Sequence, residues 1–249
     1  MVKGLDIFKQ YFRGYEDQYV LIGGAACDII FSNNDAQFRA TRDLDMVLII
    51  EALTPEFANQ FLRFVSDADY RHRVASTGES QFYRFDKPET EGFPKMIELF
   101  SRKSFELKKL NGLTPIYIND EVSSLSAILL DDNYYQILLD GKIIEQGLSV
   151  LRPEYLIIFK AKACLDLKVR KERGEQIDSS NIKKHKNDIL RIAVEMVLER
   201  PVNLPASITN DIEQFLQSLY QDPFDANLLK GYGLKSEELV KRMIEIYRG

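Results

Sequence analysis

Two short stretches near the start of the chain carry the residue types most suited to chemistry: Gly23-Gly24 and Asp43-Leu44-Asp45. The glycines end an apolar run, Tyr19-Val-Leu-Ile, and open into Ala25-Ala26, the pattern of a strand, a tight turn and a helix start. Backbone amides at such a start attract phosphate. Asp43 and Asp45 head a second apolar run, Met46 to Ile50, and strand residues two apart share a face. Side-by-side carboxylates repel unless positive charge lies between them, and a hard divalent cation completed by phosphate oxygens meets that need. The pair therefore predicts metal-assisted phosphoryl transfer, with a solvated strand mouth as the plain alternative.

Transfer of this kind calls for a third acid on a neighbouring strand. Glu98, inside Lys95-Met-Ile-Glu-Leu-Phe100, is the first candidate, because an unpaired acid in an apolar strand is costly. Asp86, after the Phe82 to Phe85 run, is its substitute, and a salt-bridged structural glutamate is the plain alternative. Farther on, Lys160 and Lys162 interrupt the apolar run from Leu156 to Leu167, where a triphosphate would give them an anionic partner. Lysines extending to solvent along a half-exposed helix explain them equally well. Lys184 and Asp188 are four apart and so share a helix face, either as ligands or as an ordinary ion pair. His185 and His72 carry no signal by themselves.

These groups need elements to hold them. The spacing of Leu5, Phe8, Tyr11 and Phe12 predicts a first helix, and Tyr19–Ile22 a first strand. Thr54-Pro55-Glu56 predicts a capped helix running to about Asp67. Strands are expected at 73–76, 80–85 and 94–100. Residues 116–151 read as short strands and hairpins, with Asp131-Asp132-Asn133 and Asp140-Gly141 as their turns. From Pro153 onward the apolar spacing becomes helical, with Lys184 to Asp188 opening the second long helix. The expected class is α+β, a mixed sheet flanked by helices and then a helical C-terminal domain, divided as 1–150 and 151–249.

The chain has 249 residues, 45% hydrophobic and 29% charged, enough for a substantial core. A net charge of -5 argues against bulk electrostatic binding of nucleic acid. Basic residues are nonetheless concentrated between Lys160 and Lys186, where nine face four acids, a local surface that could follow a phosphate backbone. Met1-Val-Lys-Gly-Leu-Asp lacks the apolar core of a secretion signal and no run is long enough for a membrane span, so a cytoplasmic protein without membrane partners is expected. Cys27 and Cys164 read as buried small hydrophobes.

Taken together, these motifs resemble the minimal nucleotidyltransferases of the DNA polymerase beta-like superfamily, most closely the AbiEii-type branch with its toxin components. Gly23-Gly24 matches the glycine pair, Asp43-Leu44-Asp45 the metal motif with Thr41-Arg42 before it, Glu98 the third acid, and Lys160 with Ala163 and Lys184 to Asp188 the late lysine motifs. The likeness spans roughly residues 15 to 195. It departs from the pattern in a longer gap between Gly24 and Asp43, in His185 where an aspartate is usual, and in Glu at position 98 in place of Asp.

The resemblance implies a nucleotidyltransferase fold and the transfer of NMP from an NTP to a hydroxyl. Asp43 and Asp45 would hold two Mg2+ ions, or Mn2+, and Glu98 would assist the acceptor. Gly23, Gly24, Thr41, Arg42, Lys160, Lys162, Lys184 and Asp188 would bind the nucleotide in a cleft completed by the helical domain. An RNA end such as tRNA is the implied acceptor, and an antitoxin protein the implied partner. A small-molecule acceptor of the antibiotic type is one alternative; a catalytically silent module that senses nucleotide or binds a partner is the other.

Overall fold

A computed structural model describes residues 2–33, 41, 43–72, 82–101, 128–129, 131–196, 198 and 204–248. The chain divides into two compact units, one of Met1–Val122 with Lys142–Leu151, the other of Ser123–Gly141 with Arg152–Gly249.

The first unit holds the sheet. Its elements are α1 (Leu5–Tyr11), β1 (Tyr19–Ile22), α2 (Gly23–Asn33), β2 (Asp43–Leu48), a 3-10 turn at Ile50–Ala52, α3 (Pro55–Asp67), β3 (Arg71–His72), β4 (Phe82–Asp86), β5 (Met96–Ser101), β6 (Lys142–Glu145) and β7 (Leu148–Leu151). The described strands form one mixed sheet in the order β3-β4-β5-β2-β1-β7-β6. β1 runs antiparallel to β2 and parallel to β7, while β2 runs parallel to β5. The start of α3 follows the expected chemistry: Thr54 Oγ1 accepts the Phe57 amide at 3.2 Å and Pro55 sets the first turn.

Strand alternation separates the two faces of this sheet. Leu44, Met46, Ile97, Leu99 and Phe85 share one face and are all buried. That side packs on α1 and α3 through an aromatic cluster, with Phe8 5.6 Å from Tyr19, Phe12 5.4 Å from Phe64 and Phe61 5.4 Å from Phe85. Each such pair adds about 0.5–1.5 kcal/mol beyond its buried area. The opposite face receives the alternate residues, among them Asp43, Asp45 and Glu98.

The second unit is helical: α4 (Asp132–Asp140), α5 (Pro153–Glu172), α6 (Ser179–Glu195), α7 (Ala206–Ser218), α8 (Ala226–Gly231) and α9 (Ser236–Arg248). α5 is its centre and packs against both α6 and α7. The α+β class expected from sequence is the one observed, a mixed sheet with helices and then a helical C-terminal region. Cys27 and Cys164 are buried and unbridged, and burial pushes the Cys164 thiol up to about 12. Among the described residues, no helix is long and apolar enough to cross a membrane.

Three local expectations are corrected. Asp131-Asp132-Asn133 is not a hairpin turn: the Asp131 carboxylate caps α4 by accepting the amides of Asn133 at 2.8 Å and Tyr134 at 3.2 Å. Gly141 closes that helix, and a β-carbon there would meet the Tyr155 ring at 2.4 Å. The real hairpin turn is Gln146-Gly147, whose φ values of 52° and 76° are the paired positive angles that suit a two-residue loop. Lys184 to Asp188 does not open α6, which begins five residues earlier behind Asp178, whose carboxylate accepts the Ser180 amide at 2.8 Å. The expected strand at 73–76 and the hairpins expected from 116 to 127 lie outside the described residues.

Candidate active site

Register places five charged side chains on one face of the sheet in two adjacent rows. Arg84, Glu98 and Asp45 lie opposite one another across β4, β5 and β2. Two residues along each strand, Asp86, Met96 and Asp43 form the second row. Directly opposed residues stand about 5 Å apart at their β-carbons, so these side chains are in mutual reach. The rows sit at the end of β2 where the apolar run begins, with Val47 and Phe100 behind them on the same face.

Gly23 closes the site from β1. Ile22 pairs with Asp45, and the next residue turns into α2 with φ +65°, the left-handed region that favours glycine. A β-carbon on Gly23 would lie 1.9 Å from Asp45 Oδ2. The side chain that glycine lacks is thus replaced by the carboxylate, which rests against bare backbone. Gly24 follows, buried in the first turn of α2.

Glu98 is 8% exposed and bound by the Arg84 guanidinium, whose Nε donates at 2.9 Å while Nη2 makes a second bond to the same oxygen. Burial pushes the Glu98 carboxyl above its usual range; Arg84 and a hydrogen bond with Asp45 pull it back, and the charge of Asp43 pushes it up again. Arg84 is the member of the site that sequence reasoning passed over. Its signal was present in Phe82-Tyr-Arg-Phe-Asp86, where the charged residues alternate with apolar ones at strand spacing.

Among the described residues, no three His, Cys, Asp or Glu side chains converge as a ready-made cation cage. Asp43 and Asp45 fit a different arrangement, in which Mg2+ takes one or two carboxylates and completes its octahedron with water and phosphate oxygens. The donor set is all oxygen, and the Asp45 carboxylate is held against the bare backbone of Gly23. A pocket of about 400 Å³ opens next to Asp43, with Asp86, Lys3, Lys95 and Phe93 among its walls.

The remaining sequence candidates fall as follows. Thr41 is half-buried in irregular backbone and Arg42 lies outside the described residues. Lys160, in α5, donates to Asp188 of α6 at 2.9 Å, with side chains 7% and 1% exposed, so those two candidates pair with each other inside the helical unit. Lys162 donates to Asp211 at 2.8 Å and lies over the Tyr134 ring. Lys184 is exposed on α6. Asp43, Asp45, Glu98 and Gly23 are thus brought together in the sheet unit, while Lys160 and Asp188 meet in the helical one.

Fold and site define an α+β protein whose mixed sheet bears a charged grid at a strand mouth beside a glycine turn. No protein-family profile matches the chain, and no curated protein sequence matches it. Among solved structures it is similar to an antigenic nucleotidyltransferase-like protein from Paracoccidioides brasiliensis, at 14% identity over 98% of this chain and 94% of that one, with a TM-score of 0.46. It is also similar to JHP933 from Helicobacter pylori, at 11% identity over 98% and 89%, with a TM-score of 0.33.

Proposed function

We propose that this chain is a metal-dependent nucleotidyltransferase that moves NMP from an NTP to a hydroxyl acceptor. One observation carries the proposal: Asp43 and Asp45 share a face of β2, Asp45 lies opposite Glu98 in register, and Gly23 offers its backbone where Asp45 sits. A divalent cation held there would neutralise phosphate charge and polarise the transferring phosphoryl group. The chain's own residues do the rest. Asp43 and Asp45 orient the cation-binding oxygens, and the amides of Gly23 and Gly24 face a phosphate at the first turn of α2. Glu98, anchored by Arg84, accepts the proton of the attacking hydroxyl as the bond to the α-phosphorus forms and pyrophosphate leaves.

The proposal includes Thr41, Arg42, Lys160, Lys162, Lys184 and Asp188 as nucleotide ligands. Of the three lysines, Lys184 is the exposed one, while Lys160 and Lys162 are each held by an aspartate. The order of motifs along the chain supports the AbiEii-type branch, and with it an RNA end such as tRNA as acceptor and an antitoxin protein as partner. The 400 Å³ pocket beside Asp43 favours a second reading, a small hydroxyl-bearing acceptor.

Purified protein incubated with Mg2+, each labelled NTP and total RNA is expected to place label in RNA. Asp43→Asn with Asp45→Asn is expected to abolish it by at least about a thousandfold while the fold persists, since removing one preorganised electrostatic group alone costs about 10²–10³. Undiminished turnover in the double variant would sink the proposal. Label in small hydroxyl compounds with none in RNA selects the second reading.

A further inference from the structure

A second pocket, of about 670 Å³, is built wholly within the helical unit. Four lysines line it, Lys168 and Lys171 from the last turns of α5 and Lys183 and Lys186 from α6. Lys186 is 8% exposed, a degree of burial that an ammonium tolerates only beside negative charge. Its partner is Asp222, which also takes Lys168 at 3.2 Å, so two ammonium groups converge on one carboxylate. That carboxylate belongs to the short link between α7 and α8, and its side chain is 52% exposed.

The remaining walls mix signs, with Glu172 and Asp225 beside Lys171 and Lys183, so the four lysines outnumber the three acids by one. Lys183 meets Asp225 at 3.3 Å with its own side chain 64% exposed, and Lys171 donates to the Ser179 hydroxyl. Ser179, the first residue of the seventeen-residue α6, also lines the pocket, and the helix start beside it is capped by the Asp178 carboxylate. Asn187, also in the wall, has a buried Oδ1 without a hydrogen-bond partner among the described residues. Turned about its side-chain amide plane, it would offer N–H donors instead.

We propose that this pocket binds a small oligophosphate, with the Asp222 carboxylate as the built-in group that such a ligand displaces. The volume lies within the range of small-molecule sites. Phosphate oxygens would bridge Lys168 and Lys186 where Asp222 now does, and reach Lys171 and Lys183. The site is independent of the carboxylate grid on the sheet and of the function proposed for it.

The test is calorimetric titration of the full chain with inorganic tripolyphosphate at low salt, without divalent cation. Saturable binding is expected, about tenfold weaker in Lys171→Gln/Lys183→Gln, whose exposed side chains leave the fold intact. It is expected to be several-fold tighter in Asp222→Asn, which removes the competing carboxylate, and unchanged in Asp43→Asn/Asp45→Asn. No binding by either wild type or Asp222→Asn overturns the proposal, as does binding indifferent to Lys171, Lys183 and Asp222. Lysine-dependent binding of a twelve-nucleotide single strand with none of tripolyphosphate also overturns it, in favour of a face for nucleic-acid backbone.

Discussion

Gly23→Ala tests the proposed active site through a single methyl group. Alanine at φ +65° costs about 1–2 kcal/mol from its backbone conformation. In a chain of this size that lowers Tm by roughly 2–8 °C. The methyl would lie 1.9 Å from Asp45 Oδ2, whereas ordinary contact begins near 3.4 Å, so the carboxylate must retreat by 3.4 − 1.9 = 1.5 Å. It sits at the end of a short side chain and can rotate away at little cost in stability, but in doing so it leaves its place opposite Glu98. A displacement of about 1 Å in a reacting array costs on the order of a hundredfold in rate. NMP transfer should therefore fall by about two orders of magnitude while circular dichroism stays native and the melting transition stays cooperative. A variant with wild-type turnover and a native melt would refute the assignment of Asp45 to the reacting centre.

Other outcomes follow from the same structure. Arg84→Gln leaves the Glu98 carboxylate buried without its guanidinium, which should lower stability by about 1–3 kcal/mol in denaturant titration and reduce kcat more than KM; Arg84→Lys should recover part of both. Lys160→Met alone takes the ammonium away from the buried Asp188 and should cost about 3–5 kcal/mol, whereas adding Asp188→Leu should bring stability back toward wild type. If the double variant melts like wild type but has lost NTP binding, the pair serves the nucleotide. Asp222 has its carboxyl held below the usual range: burial raises it, but hydrogen bonds from Lys186 and Lys168 outweigh that. Its contribution is therefore complete above the ordinary aspartate range and disappears as pH falls through the lowered folded value. The Tm difference between wild type and Asp222→Asn should be constant from pH 7 to about 5 and shrink as pH falls below the ordinary aspartate range.

Much of the sheet was legible because its strands announce themselves. Tyr19–Ile22 is fully apolar and bounded by glycine, and the acids of β2 and β5 stand out against apolar neighbours. The residues from 131 to 141 were misread because Asp and Gly serve helix ends as readily as turns. Asp131 and Gly141 have turn composition, and only the Tyr134, Tyr135, Ile137 and Leu138 spacing between them, all buried, belongs to a helix. Arg84 was passed over for another reason. Its importance comes from lying opposite Glu98, fourteen residues away, and the intervening register is not written in local spacing. The Lys160–Asp188 pair was half visible: both residues stood out, but that they would face each other depends on how α5 and α6 pack.

The path of the chain through β6 and β7 bears on how the protein is made. These strands belong to the sheet unit, but the residues before and after them, Ser123–Gly141 and Arg152 onward, belong to the helical one. β7 pairs with β1 through Leu21 and Val150, a separation of 150 − 21 = 129 residues, and the length-dependent part of closing such a loop is about 4 kcal/mol. On the ribosome, β1 thus emerges long before its parallel neighbour, and its outer edge waits, unpaired, while more than half of the polypeptide is synthesised. A clone stopped at residue 122 would carry every acid of the grid on a sheet with that edge still bare, so the nascent or truncated chain is the form in which this protein is most exposed to aggregation.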